Sequence, residues 1–167
     1  LAAAERDGMP GEVYFYHLRR RTLDSLAPDL LEKSLERGWR VTLRAGGAER
    51  LAALDAWLWT YRDDSFLPHG GAGDPHPDRQ PVYLTAGDET PNDPHALMLI
   101  DGAEANETEI RRLERVMTLF DGQDEAAVQA ARGFWRRVVA AGAAAQYWAE
   151  GPDGRFAKKA ESAARTA

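Results

Sequence analysis

His69 and His76 share one loop with Asp74 and Asp78, residue types that together could ligate a divalent metal. No helical or hairpin spacing ties the four together, so the competing reading is solvated or locally bonded loop histidines. Asp63 and Asp64 could form an acid–base pair, but adjacent carboxylates are more often a solvated turn. Asp101 and Asp121 each end an apolar run, the place where open α/β sheets contact ligands; each could equally cap a turn. The glycines of RAGGAER (residues 44–50) lack both the three-glycine fingerprint and the phosphate-loop lysine, which leaves a tight strand-to-helix turn. GGAG (70–73) has no following helix and no lysine. Ser25, Ser34, Ser65 and Ser162 stand in no nucleophile-elbow context. These residues assemble no reaction.

Two other groups suit binding. In DEAAVQAARGFWRRVVAAG (124–142) a helical projection from Phe134 puts Ala127, Ala131 and Val138 on the core stripe. Trp135, Val128 and Val139 follow at about 100–140°, with Arg132 at about 160° and Arg136 at about 200°. Cations beside an apolar notch fit a peptide that ends in acidic residues and an aromatic ring. The competing reading is a wide core stripe with snorkelling arginines. In LWTYRDDSFLPHG (58–70), Trp59 falls about 100° from the Leu51, Leu54, Leu58 face of its helix, and Phe66, Leu67 and Pro68 follow a charged turn. Clustered exposed aromatics mark a protein interface, unless they fold back as a satellite core.

The elements that must carry these groups alternate. Strands are read at 12–18, 39–45, 81–85, 96–101 and 115–122, the last two being apolar runs ending in aspartate, typical of buried parallel strands. Helices are read at 22–38, 46–61, 106–114 and 124–142. Pro28 kinks the first helix or marks its first turn, Asp124 caps the last, and Gly142 ends it. Segments 68–80 and 85–95 are loops by composition, and 145–160 reads as a hairpin across GPDG. The alternation predicts a single-domain α/β fold with an open, mostly parallel sheet, helices on both faces and a C-terminal hairpin. Residues 1–8 are read as a disordered extension before Met9, residues 9–160 as the domain, and 161–167 as a frayed tail.

With 167 residues, one core forms without staples, and the absence of cysteine excludes disulfides, thiolate metal sites and cysteine nucleophiles. This fits a reducing, cytoplasmic setting, and no apolar run reaches membrane-spanning length. A net charge of −6 argues against a general nucleic-acid coat. Residues 132–167 hold seven Lys/Arg against three Asp/Glu, so a basic quarter on an acidic body suggests a local anionic partner.

VYFYHL, LLEKSLERGWRVTLRAG, LDAWLWTYRDDSFLPHG, RQPVYLT, LFDGQDEAAVQAARGFWRRVVAAG and the final YW with GRFAKKA together resemble the chi subunit of bacterial DNA polymerase III, alphaproteobacterial type. The resemblance runs from about Met9 to Ala160, and its most specific part is the LD, LW, SFLPH pattern. It implies a Rossmann-like sheet that binds no nucleotide, no cofactor or metal, and a non-catalytic accessory to the clamp loader. It implies two partners: the psi subunit, and the acidic, phenylalanine-ended tail of single-stranded-DNA-binding protein. Contact with nucleic acid would then be indirect. Family psi-facing aromatics fall on Trp59 and Phe66, with Leu67 and Pro68 beside them. The tail-binding helix falls on Arg132 and Arg136, with Val128, Trp135 and Val139 alongside. A basic position found in some relatives is replaced here by Val128. Some relatives also bind a helicase through the psi-facing surface. The rival from another class is a small nucleotide- or metal-dependent α/β enzyme using loop 68–80 with Asp101 or Asp121. A third reading, direct DNA binding through the basic C-terminal quarter, is opposed by the negative body.

Overall fold

The computed structural model describes residues 11–63 and 67–165. Its strands are β1 (Glu12–Leu18), β2 (Val41–Arg44), β3 (Gly70–Gly71), β4 (Val82–Thr85), β5 (Ala96–Leu99), β6 (Arg115–Asp121), β7 (Ala144–Glu150) and β8 (Phe156–Ser162). Its α-helices are α1 (Leu23–Glu36), α2 (Ala48–Thr60), α3 (Glu107–Arg112) and α4 (Glu125–Ala140). One sheet runs β3-β4-β2-β5-β6-β1-β7-β8. All neighbours are parallel except the β7–β8 hairpin. The expected α/β architecture is therefore present.

Period-two alternation sorts the side chains to two faces. Val13, Phe15, Leu97, Leu99, Val116 and Phe120 pack under α3 and α4 with Ile110, Phe134 and Val138. Met98, Met117 and Leu119 face the other way, under Leu26 and Leu31 of α1 and Leu54 and Leu58 of α2. Because both faces are covered, β2, β4 and β5 are buried at every position. One buried ion pair sits among them: Arg44 of β2 donates to both carboxylate oxygens of Glu109 on α3, at 3.0 and 2.8 Å.

Local chemistry sets the helix ends. Thr22 caps α1. Asn106 and Glu109 form a reciprocal capping box on α3. The Asp124 side chain accepts from Ala126 and Ala127 N–H, and Gly142, at φ 80°, closes α4 in the left-handed conformation. Gly46 is required by contact: a Cβ there would stand 1.8 Å from the Asp101 carbonyl oxygen. That supports the tight-turn reading of RAGGAER.

Four features differ from the sequence reading. Pro28 lies inside α1, buried, and not in its first turn. Segment 68–80 is not all loop: β3 pairs with β4, and a 3-10 turn covers Pro77–Arg79. Two glycines carry no strand signal, because their pairing is purely backbone. The second strand begins at Val41, after Trp39 and Arg40. At the other end β8 continues to Ser162, and Arg165 bonds Gly142 and Val139 carbonyls at 2.8 and 2.6 Å.

Candidate binding surfaces

α4 lies on the sheet with Ala131, Phe134 and Val138 buried, as its spacing predicts. Val128 is also buried, at 8% exposure, so the core stripe is wider than the projection suggested. Trp135 and Val139 are half-buried at the helix flank. The Trp135 ring stands 5.3 Å from Phe15 and 6.1 Å from Tyr147 of β7. Arg132 and Arg136 are exposed and make no ion pair or hydrogen bond among the described residues. By contrast their neighbour Arg137 is bound to Glu104 at 2.6 Å. The flank toward β7 thus carries two uncompensated guanidinium groups beside Trp135 and Val139, with Val128 mostly withdrawn into the core.

Two residues that sequence spacing did not single out complete this flank. His17 of β1 and Tyr147 share a 2.7 Å hydrogen bond. Burial lowers the His17 pKa, and the nearby charges of Arg19 and Arg132 lower it further. Burial raises the Tyr147 pKa, with Arg132 and Arg19 opposing. Both cations therefore bear on the same pair. His17 and Tyr147 are 130 positions apart, and only sheet order joins them.

At the end of α2, Trp59 is 53% exposed and Trp57 39% exposed. The Trp59 ring lies 4.4 Å from that of His69. His69 is buried; its Nδ1–H donates to the Leu67 carbonyl at 2.7 Å. Its Nε2 lies 3.0 Å from Asp55 Oδ1, at ion-pair distance but without hydrogen-bond alignment. Leu67, grouped with Trp59 as surface, is 2% exposed and belongs to the α1–α2 core. Pro68 is half-buried. Asp64, Ser65 and Phe66 lie outside the described residues.

A family model described as DNA polymerase III chi subunit, HolC, matches residues 10–146. The chain belongs to the DNA polymerase III chi subunit family. A curated relative named probable DNA polymerase III subunit chi, from Rickettsia prowazekii (strain Madrid E), is 29% identical over 85 residues. That match covers 51% of this chain and 52% of the relative, so it spans about half the length of each. The resemblance drawn from the quoted motifs is thus shown at family level, and the chi-family match includes β1 through the first strand residues of β7.

The catalytic candidates do not converge in this chi-family fold. Among the described residues no three His, Asp or Glu side chains are grouped to hold a metal. His76 is exposed, and the Asp74 carboxylate accepts the Gly71 N–H at 2.7 Å. His95 uses Nδ1 to accept the Arg40 N–H at 2.9 Å. Ser25 and Ser34 donate to the Thr22 and Leu30 carbonyls. Asp121 accepts the Gln123 N–H at 2.9 Å, the turn-capping role. Asp101 and Asp121 do border a cleft of about 660 Å3 at the carboxyl ends of the strands, which Arg19, Arg20 and Arg50 also line. No described helix is long and apolar enough to cross a membrane.

Proposed function

We propose that the chain is a non-catalytic replication accessory in the cytoplasm, an adaptor that links the clamp loader to single-stranded-DNA-binding protein. The flank of α4 takes that protein's acidic, phenylalanine-ended tail. Trp59, with Pro68 and the neighbouring Phe66, presents the surface for psi. One observation carries the first assignment: Arg132 and Arg136 are exposed without an anionic partner among the described residues, next to half-buried Trp135 and Val139. An unpaired cation pair beside apolar side chains is suited to a terminal carboxylate followed inward by a ring. Family membership supports the same reading.

The test is a fluorescence titration with a labelled peptide of several aspartates ending in phenylalanine. Binding that weakens on amidating the peptide's terminus, and again with rising salt, supports the assignment. Equal binding of the free-acid and amidated peptides would remove it.

A further inference from the structure

The face of the sheet opposite α4 holds a second site. Between α1 and the β1–β7–β8 end of the sheet lies a cleft of about 300 Å3. Five aromatic side chains line it: Tyr14, Tyr16, Trp39, Trp148 and Phe156. Four cations reach it, Arg21, Lys33, Arg37 and Arg115, against one carboxylate, Asp29. Arg21 already neutralises Asp29 at 2.6 Å. Lys33 and Arg37, on the last turn and cap of α1, are exposed and make no ion pair among the described residues. Lys158 of β8 is the cross-strand partner of Trp148, which places it on the same face.

Two donors in this cleft lack an acceptor. Arg115 stacks on Tyr14 at 4.1 Å and faces Trp39 at 5.3 Å, yet its Nε is buried with no hydrogen-bond partner. Arg115 does have Glu12, but at 3.8 Å through Nη2. The Tyr16 hydroxyl has no hydrogen bond among the described residues. Burial pushes its pKa up to about 12, so it remains a proton donor at neutral pH. A phenylalanine ring would leave these donors unmatched. A nucleobase offers both a face for stacking and acceptors on its edge, and its strand carries one anion per residue.

We propose that this cleft binds one base of a single-stranded nucleic acid, with the flanking phosphates on Lys33 and Arg37. The base lies among Tyr16, Trp148 and Phe156, and its edge accepts from Tyr16 and Arg115. This departs from the expectation that contact with nucleic acid is indirect. It revives the direct reading at a different place, since the cations here come chiefly from α1 and β6. The negative body limits affinity but not location, because the local balance is cationic. The α4 flank lies across the sheet, so a peptide there and a strand here do not compete.

Anisotropy of a labelled octathymidylate, titrated with the full chain, tests the proposal. Binding should fall as salt rises. Lys33→Ala with Arg37→Ala should weaken it about tenfold at low salt and make the log–log salt slope shallower by about 1. Tyr16→Phe should weaken it about threefold at every salt concentration. An abasic strand of the same length should bind at least tenfold more weakly than the octathymidylate. Saturating acidic peptide ending in phenylalanine should leave strand binding unchanged. No anisotropy change at low salt, equal binding of the abasic strand, or displacement by the peptide would each overturn the assignment. The paired substitution on the exposed end of α1 keeps the test decisive should Tyr16→Phe perturb folding.

Discussion

The indole Nε1–H of Trp57 donates to the Asp24 carbonyl at 2.7 Å, the carbonyl that Pro28 leaves without its helical partner. Proline has no N–H to give its i−4 neighbour, and here that neighbour is Asp24. α2 therefore repairs a defect in α1. The two adjacent-looking tryptophans have different work: Trp57 is committed to the Asp24 carbonyl of α1, while Trp59 is the more exposed.

Trp57→Phe should cost about 1 kcal/mol, the net worth of one hydrogen bond. In a Pro28→Ala background the cost should shrink, because the new N–H can reach Asp24. A double-mutant cycle by urea unfolding measures the difference. Strict additivity of the two substitutions would contradict the account.

Trp59 and Leu67 should separate under truncation. Leu67→Ala removes a buried side chain and should cost about 2–5 kcal/mol. Trp59→Ala should cost less than about 1 kcal/mol, since half its surface is already in water. Thermal unfolding of each variant reads this directly, and a large loss at Trp59 would place it in the core.

Arg132→Ala should weaken the acidic peptide by about 2 kcal/mol, if this arginine holds the terminal carboxylate beside Trp135. Arg136 lies further round the helix and should cost less, chiefly flattening the salt dependence. Amidation of the peptide should add little to Arg132→Ala. Amidation that costs the variant as much as the wild type would reassign the carboxylate.

Glu150 is 1% exposed, and burial alone would oppose its ionisation. The backbone N–H groups of Arg21, Arg19 and Arg20 outweigh burial and hold its carboxyl below the usual range. A pKa depressed by folding gives stability that is present at neutral pH and lost as acid protonates the folded carboxylate. Glu150→Gln should thus cost about 1–3 kcal/mol at pH 7, and the gap to wild type should narrow below pH 4. Urea midpoints across pH 3–7 provide the check. A constant gap at all pH values would assign the cost to packing instead.

The sheet and its four helices were legible because strand runs such as ALMLI and helix caps such as Asp124 and Gly142 are local signals. β3 was hidden because its two residues are glycines. Arg132 and Arg136 were legible from helical phase, but Val128 was misplaced because phase cannot say how deeply a helix sinks into its sheet. Leu67 sits in a stretch without periodicity, so nothing local marked it as buried. The aromatic cleft was invisible for a different reason: Tyr16, Trp39, Arg115 and Trp148 meet only through strand order.

The sheet has two outer edges, and neither invites another strand. At one, β3 offers only Gly70 and Gly71. At the other, β8 is exposed through Ala157–Glu161 and carries Lys158, Lys159 and Glu161, charges that a neighbouring sheet would have to desolvate. A chain with so large a parallel sheet and no disulfides is thereby protected from stacking edge to edge into fibres. Its contacts with other molecules are left to helix flanks and side-chain clefts.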